Sequence, residues 1–164
     1  MDRQQIGVKL TMDSLALPFK TDGFENRLIL QKAIYLAQAA GVNLGYYYHW
    51  YLYGPYCPAL TRDAYTIANE LDQDMDESYG WTLDRESQSR LKRLQNLINK
   101  GEREKMARRL ELLASVHFLI DRRQVSTVDI SCIAATLERF NKDFSEKDVE
   151  RALGELKTHG LLQV

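Results

Sequence analysis

A chain of 164 residues, 45% apolar and 27% charged, has the balance of one ordinary globular domain. That balance excludes a disordered segment, and the length is enough to bury a core without a metal or disulfide staple. A formal net charge of −1 excludes a global electrostatic pull towards nucleic acid or anionic membrane, so any such role rests on a local patch.

The elements follow in chain order. Residues 3–17 carry Ile6, Leu10, Met12 and Leu15 at loosely helical spacing, and Pro18 stops the run. After a loop through Thr21, Asp22 and Gly23, the segment FENRLILQKAIYLAQAAG predicts a central, buried helix. Phe24, Leu28, Ile34, Leu36 and the alanines make it apolar almost all round, with Gly41 as its stop. GYYYHWYLYGPY then predicts one strand over Tyr47 to Tyr53, paired with a short strand near Trp81 to Leu83 and ended by a Gly-Pro turn. Pro58 suits the first turn of a helix to about Leu71. Beyond an acidic stretch, Asp84 caps a helix rich in Arg and Lys that reaches about Asn99. Past Gly101, a helix from about Arg103 to Asp121 sets Leu110, Leu113, Val116, His117 and Ile120 on one face. Two shorter helices close the chain. One begins near Thr127; the other follows Ser145, which with Asp148 forms a capping-box pair, and ends at His159-Gly160. The expected fold is mainly α, a single domain over residues 1–164 with a small β element near its middle.

Catalytic signatures are missing. The chain has no Walker A loop, no G-x-G-x-x-G, no H-E-x-x-H and no G-x-S-x-G. His117 reads as a hydrogen-bonded core residue and His159 as a helix-end cap. Cys57, beside a turn, is expected to be partly exposed, and a nucleophilic role would need His49 as its base. Asp72, Asp74 and Asp76 alternate as in a calcium loop but lack the glycine and distal glutamate of an EF-hand, so they read as a solvated loop. No metal, cofactor or enzymatic activity is expected. Cys57 and Cys132 stand far apart, which fits free thiols, with a disulfide left open. The first ten residues lack a signal-peptide core and no run matches a membrane span, so a cytoplasmic protein is expected.

Two regions stand out. In the first, Tyr46 to Tyr56, strand alternation sends Tyr47, His49, Tyr51 and Tyr53 to one face and Tyr48, Trp50 and Leu52 to the other. Either one face displays tyrosines to a partner, as in binding hot spots, or both faces are covered and the aromatics are core. In the second, every charged residue from Asp63 to Asp84 is acidic. From Arg85 to Arg109 the balance reverses, with Arg90, Arg93, Arg103, Lys105, Arg108 and Arg109 as candidate contacts to nucleic acid or an acidic partner. The neutral total favours a solvated face there.

LILQKAIYLAQ followed by YHWYLYGPYCPAL resembles the YwgA-like proteins, which are related to the Panacea domain of SocA-like antitoxins. The matching positions are Leu30, Gln31, Lys32 and Tyr35, then Trp50, Tyr53, Gly54, Pro55 and Tyr56. The resemblance covers about residues 27–65 and leaves the charged residues 84–109 without a counterpart. It implies a prokaryotic or phage protein of the toxin–antitoxin or antiviral-defence type that acts by direct contact with a partner protein, and it carries no catalytic residues. Gln31 and Lys32, polar in the middle of an apolar helix, either clamp the backbone around Gly54-Pro55 or point into a functional groove. The expected partner surface is therefore Gln31, Lys32, Tyr35, Tyr47, Trp50, Tyr51, Tyr53, Gly54, Pro55 and Tyr56. The alternative is a nucleic-acid-binding regulator, with a helix-turn-helix-like unit after Thr127 and Ser145 beside the basic segment 85–109.

Overall fold

Capping signals placed most of the helix ends, and the computed structural model, which describes residues 1–125 and 129–162, has helices where those signals stand. The order is α1 (Arg3–Ser14), α2 (Phe24–Ala39), β1 (His49–Tyr51), β2 (Gly54–Tyr56), α3 (Pro58–Asp72), α4 (Arg85–Ile98), α5 (Arg103–Asp121), α6 (Ile130–Arg139) and α7 (Glu146–Thr158). Asp84 accepts from the Ser87 N–H at the start of α4, and Ser145 and Asp148 form the capping box of α7. Gly41, at φ 100°, ends α2 in a Schellman motif, its N–H bonded to Gln38 and that of Val42 to Ala37. The expected helix start near Thr127 lies outside the described residues; α6 is capped by Asp129, which accepts from the Cys132 N–H.

The fold is mainly α with a small β element. Its axis is α2, in which the ten residues Leu28 to Ala37 are all buried. The most extensive helix–helix contact is that of α2 with α5. In α5 the run from Leu112 to Leu119 is also buried all round, so the single apolar face expected for it is too narrow a description. All seven described helices contribute to one contiguous apolar core. Phe24, expected in that core, is 47% exposed at the first turn of α2.

The β element differs from expectation. Tyr47 to Tyr53 is not one strand, and residues 81–84 are irregular. Instead β1 pairs with β2, the next segment of the chain, in an antiparallel hairpin with His49 opposite Tyr56, Trp50 opposite Pro55 and Tyr51 opposite Gly54. The turn is Leu52–Tyr53, not Gly-Pro. Pro55 sits within a strand because both strands of a two-stranded ribbon are edges, where a missing N–H breaks no inner ladder.

Gly54 is required twice over. Its φ is 92°, and a Cβ there would lie 2.3 Å from Oγ of Ser115 on α5, whose Cα is also close at 3.7 Å. Gly54→Ala is therefore expected to lower unfolding stability by about 2 kcal/mol or more in urea titrations, through backbone strain and the clash together.

Candidate functional site

The hairpin and the chain leading into it carry little regular hydrogen bonding of their own, and helix side chains supply the rest. On α2, Gln38 donates to the Tyr46 carbonyl and accepts from its N–H, both at 2.9 Å. Two turns earlier, Gln31 Nε2 donates to the Cys57 carbonyl and to Thr61 Oγ1, each at 2.8 Å, and its Oε1 accepts from the Cys57 N–H at 3.1 Å. Lys32 Nζ donates to the Pro55 carbonyl at 2.7 Å. The clamp expected of Gln31 and Lys32 is thus present.

A residue that sequence reasoning missed completes the support. Lys142 follows Asn141, which takes φ 58° to end α6 in another Schellman motif. Its Nζ donates to the carbonyl of Leu52 in the hairpin turn at 2.7 Å and pairs with Glu111 of α5 at 2.9 Å. It also lies 5.7 Å from the ring centres of Trp50 and Tyr53, within cation–π range. No periodicity or motif marks a lysine in a connecting segment for burial, so the sequence carried no signal for it.

Held in this way, the hairpin turns Tyr51 and Tyr53 outward, 60% and 44% exposed, while Tyr48 is buried and Trp50 packs against Phe118 and Phe140 with ring centres 5.7 and 5.0 Å away. The alternation expected of a strand holds through Tyr51 and then fails at Leu52, which is exposed because it occupies the turn. Between the hairpin, α2 and α3 lies a groove of about 340 Å³, lined by Phe24, Arg27, Leu28, Gln31, Lys32, Tyr51, Tyr53, Tyr56, Thr61 and Tyr65. Phe24 meets Tyr53 edge to face at 4.7 Å, and Tyr56 shares a hydrogen bond with Thr61. Phe24, Arg27, Leu28 and Gln31 recur at the i, i+3, i+4, i+7 spacing of one helix face, as do Thr61 and Tyr65 one turn apart. That spacing was the available signal for Phe24 and Tyr65, which the sequence reading left out of the site.

The remaining candidates separate. Tyr35 is buried and bonded through its hydroxyl to His117 Nδ1 at 2.8 Å. Burial raises the tyrosine pKa and lowers that of the imidazole, so the pair is a neutral core contact. Tyr47 is exposed but faces a different cavity, of about 750 Å³, shared with Tyr46, Tyr48, Asp121 and Arg122 and ending at Leu162, the last described residue. Gly54 and Pro55 are buried supports. Cys57, expected to be partly exposed, is buried because Gln31 draws its backbone against α2, and both cysteines are free. His159 caps α7, with Nδ1 2.8 Å from the Glu155 carbonyl. Among the described residues no group of three or more His, Cys, Asp or Glu side chains is placed to hold a metal, and no helix is long and apolar enough to cross a membrane.

Four of the six basic candidates are engaged within the fold. Arg90 donates to the Ala40 carbonyl and pairs with Glu86, Arg103 bonds Asn26, and Arg109 bonds the Leu97 carbonyl and pairs with Glu155. Arg108 bonds the Asp143 carbonyl and stacks on Phe144. Only Arg93 and Lys105 of the six candidates are exposed without such a contact among the described residues. Comparison of the chain with family models, curated proteins and solved structures gives no match.

Two outcomes test the supports. Gln31→Ala leaves the Cys57 N–H buried without its acceptor and is expected to cost about 2 kcal/mol in thermal or urea unfolding. Lys32 has its pKa lowered to about 7, chiefly by burial, with Lys142 adding to the shift and Glu111 opposing it. A folded pKa below the unfolded one means that the unfolded chain holds more protons between about pH 7 and pH 10.5, so stability rises with pH across that window and is lost as pH falls through the folded value. Lys32→Met is expected to flatten that rise between about pH 7.5 and 9.5 when unfolding free energy is measured against pH.

Proposed function

We propose that this chain is a non-enzymatic protein-interaction module that docks a partner protein on the aromatic groove between the hairpin, α2 and α3. The observation that carries this reading is the combination of display and rigidity. Phe24 and Tyr65 on the helices and Tyr51 and Tyr53 on the hairpin are each 44–60% exposed around one groove, and the hairpin is fastened by buried side chains of two segments, α2 and the connection between α6 and α7. Tyrosine offers large apolar area with few rotatable bonds, and a preorganised surface loses little entropy on binding. The groove volume lies at the low end of the range of small-ligand pockets, with room for a side chain or two of a partner.

The resemblance to antitoxin-like proteins supports the same reading and adds a class of partner: a toxin or a subunit of a prokaryotic or phage defence system, met in the cytoplasm. Nothing in the site calls for a catalytic step. Of the residues weighed for catalysis, His117 is engaged with Tyr35 and lines the other cavity, and Cys57 is buried. A nucleic-acid-binding role has weaker support. Most of the basic candidates hold the fold together, and the first turn of α7, where a recognition helix would meet phosphates, carries Glu146 and Asp148.

The test is affinity capture from the native host with nuclease treatment, run on the wild type and on Tyr51→Ala/Tyr53→Ala. A stoichiometric protein is expected to survive nuclease on the wild type. The double variant should bind it about 100-fold more weakly while melting like the wild type, the loss typical of two hot-spot aromatics. Nucleic acid retained in place of a protein, or a partner indifferent to both substitutions, would refute the reading.

A further inference from the structure

The groove has a charge as well as a shape. Its ten lining residues include two cations, Arg27 and Lys32, and no Asp or Glu. Lys32 is 1% exposed, and its Nζ donates one hydrogen bond among the described residues, to Pro55, where an ammonium has three hydrogens to place. The carboxylate that acts on it from α5, Glu111, is bonded to Lys142. Lys32, Lys142 and Glu111 therefore leave a surplus positive charge beneath the hairpin whenever both lysines are protonated. Arg27, at the groove wall, spends one of its five N–H donors on the Thr21 carbonyl. The other polar side chains facing the groove, Tyr51, Tyr53 and Tyr56 from the hairpin and Thr61 and Tyr65 from α3 beside Gln31, include no carboxylate.

We propose that the groove seats an acidic side chain, Asp or Glu, carried between apolar residues on a segment of the partner protein, with its carboxylate directed to Lys32 and Arg27. This deepens, and rests on, the reading of the hairpin as the partner surface. The aromatic rim takes the flanking apolar residues, and the cationic floor selects the acid, since a neutral or basic side chain would leave the buried ammonium uncompensated. Docking is then coupled to protonation. Lys32 is close to half charged near neutral pH in the free protein, and an incoming carboxylate holds it protonated, so affinity weakens as pH rises.

The experiment pans a library of random peptides displayed on phage against the intact protein. The tightest peptide is then measured against its counterpart with the acid replaced by the amide. Enrichment of peptides with Asp or Glu between apolar residues is expected. At about pH 6 the amide counterpart should bind at least ~10-fold more weakly, and that gap should narrow by about pH 9. Lys32→Met should abolish the gap. Tyr65→Ala, a half-exposed change that should leave folding intact, is expected to weaken both peptides at least ~10-fold. Peptides without an acidic consensus, equal binding of acid and amide, indifference to Tyr65→Ala, or no enrichment at all would overturn the proposal. None of these results touches whether a host partner needs Tyr51 and Tyr53, so the two readings fail separately.

Discussion

A stretch of chain that is half buried and poor in its own backbone hydrogen bonds is the constraint on which this structure turns. Residues 42–57 connect α2 to α3 and run against the core with only a three-residue ladder in them. Buried amides and carbonyls without partners each cost on the order of 1–3 kcal/mol, enough that two or three of them would rival the net stability of a domain. The solution is borrowed from long polar side chains. Gln38, Gln31 and Lys32 come from α2, Arg122 reaches the Tyr48 carbonyl from the end of α5, and Lys142 comes from the segment before α7. Helical spacing explains the choice of residues on α2: Gln31 and Gln38 stand seven apart on one face, and Lys32 stands beside Gln31.

The same fastenings bring charge into the interior. Lys32 and Lys142 are both buried, with Glu111 paired to one of them, an arrangement that stabilises less than an apolar packing of equal volume would. Its effect is on specificity of conformation. Each ammonium is directed to one carbonyl of the hairpin, Pro55 or Leu52, so the ribbon has one registered seat on the helices. An apolar contact would have let it slide. The clash that a Cβ at position 54 would make with Ser115 points the same way, since it fixes how closely β2 approaches α5. Two-stranded hairpins are marginal alone, and this one is made rigid from outside.

What was legible in the sequence follows from this. Helix ends carry local chemistry, and Asp84, Ser145 with Asp148, Gly41 and Pro58 marked them correctly because each acts within a turn of its own position. The polar pair Gln31-Lys32 was legible as a clamp because burying two polar side chains in an apolar helix demands partners nearby. Strand pairing was not. The aromatic run gave high β propensity throughout, and the Gly-Pro pair looked like its terminus, whereas the positive φ of Gly54 closes the turn and Pro55 continues into a strand. The partner of β1 was sought at Trp81 when it was the next segment. Lys142 was invisible for a different reason: its role is set by tertiary approach alone. In the basic block, composition cannot tell an arginine that fastens a carbonyl, as Arg90 and Arg109 do, from one that faces solvent, as Arg93 does.

The distribution of polar groups also bears on what kind of site the groove is. Catalysis needs groups free to change protonation or bonding state at the reacting atom, held near a substrate. Around this groove Gln31 is engaged by the Cys57 backbone and the Thr61 hydroxyl, Tyr56 and Thr61 bond each other, and Lys32 is already partly committed to Pro55. What remains open is aromatic surface and positive charge, that of buried Lys32 and of Arg27 at the groove wall. Those are means of recognition: the first gives area without entropy loss, and the second discriminates between occupants by the cost of leaving it unpaired. On the reading proposed above the groove is a docking surface, and the fastenings that seat it arise from the need to satisfy an irregular backbone.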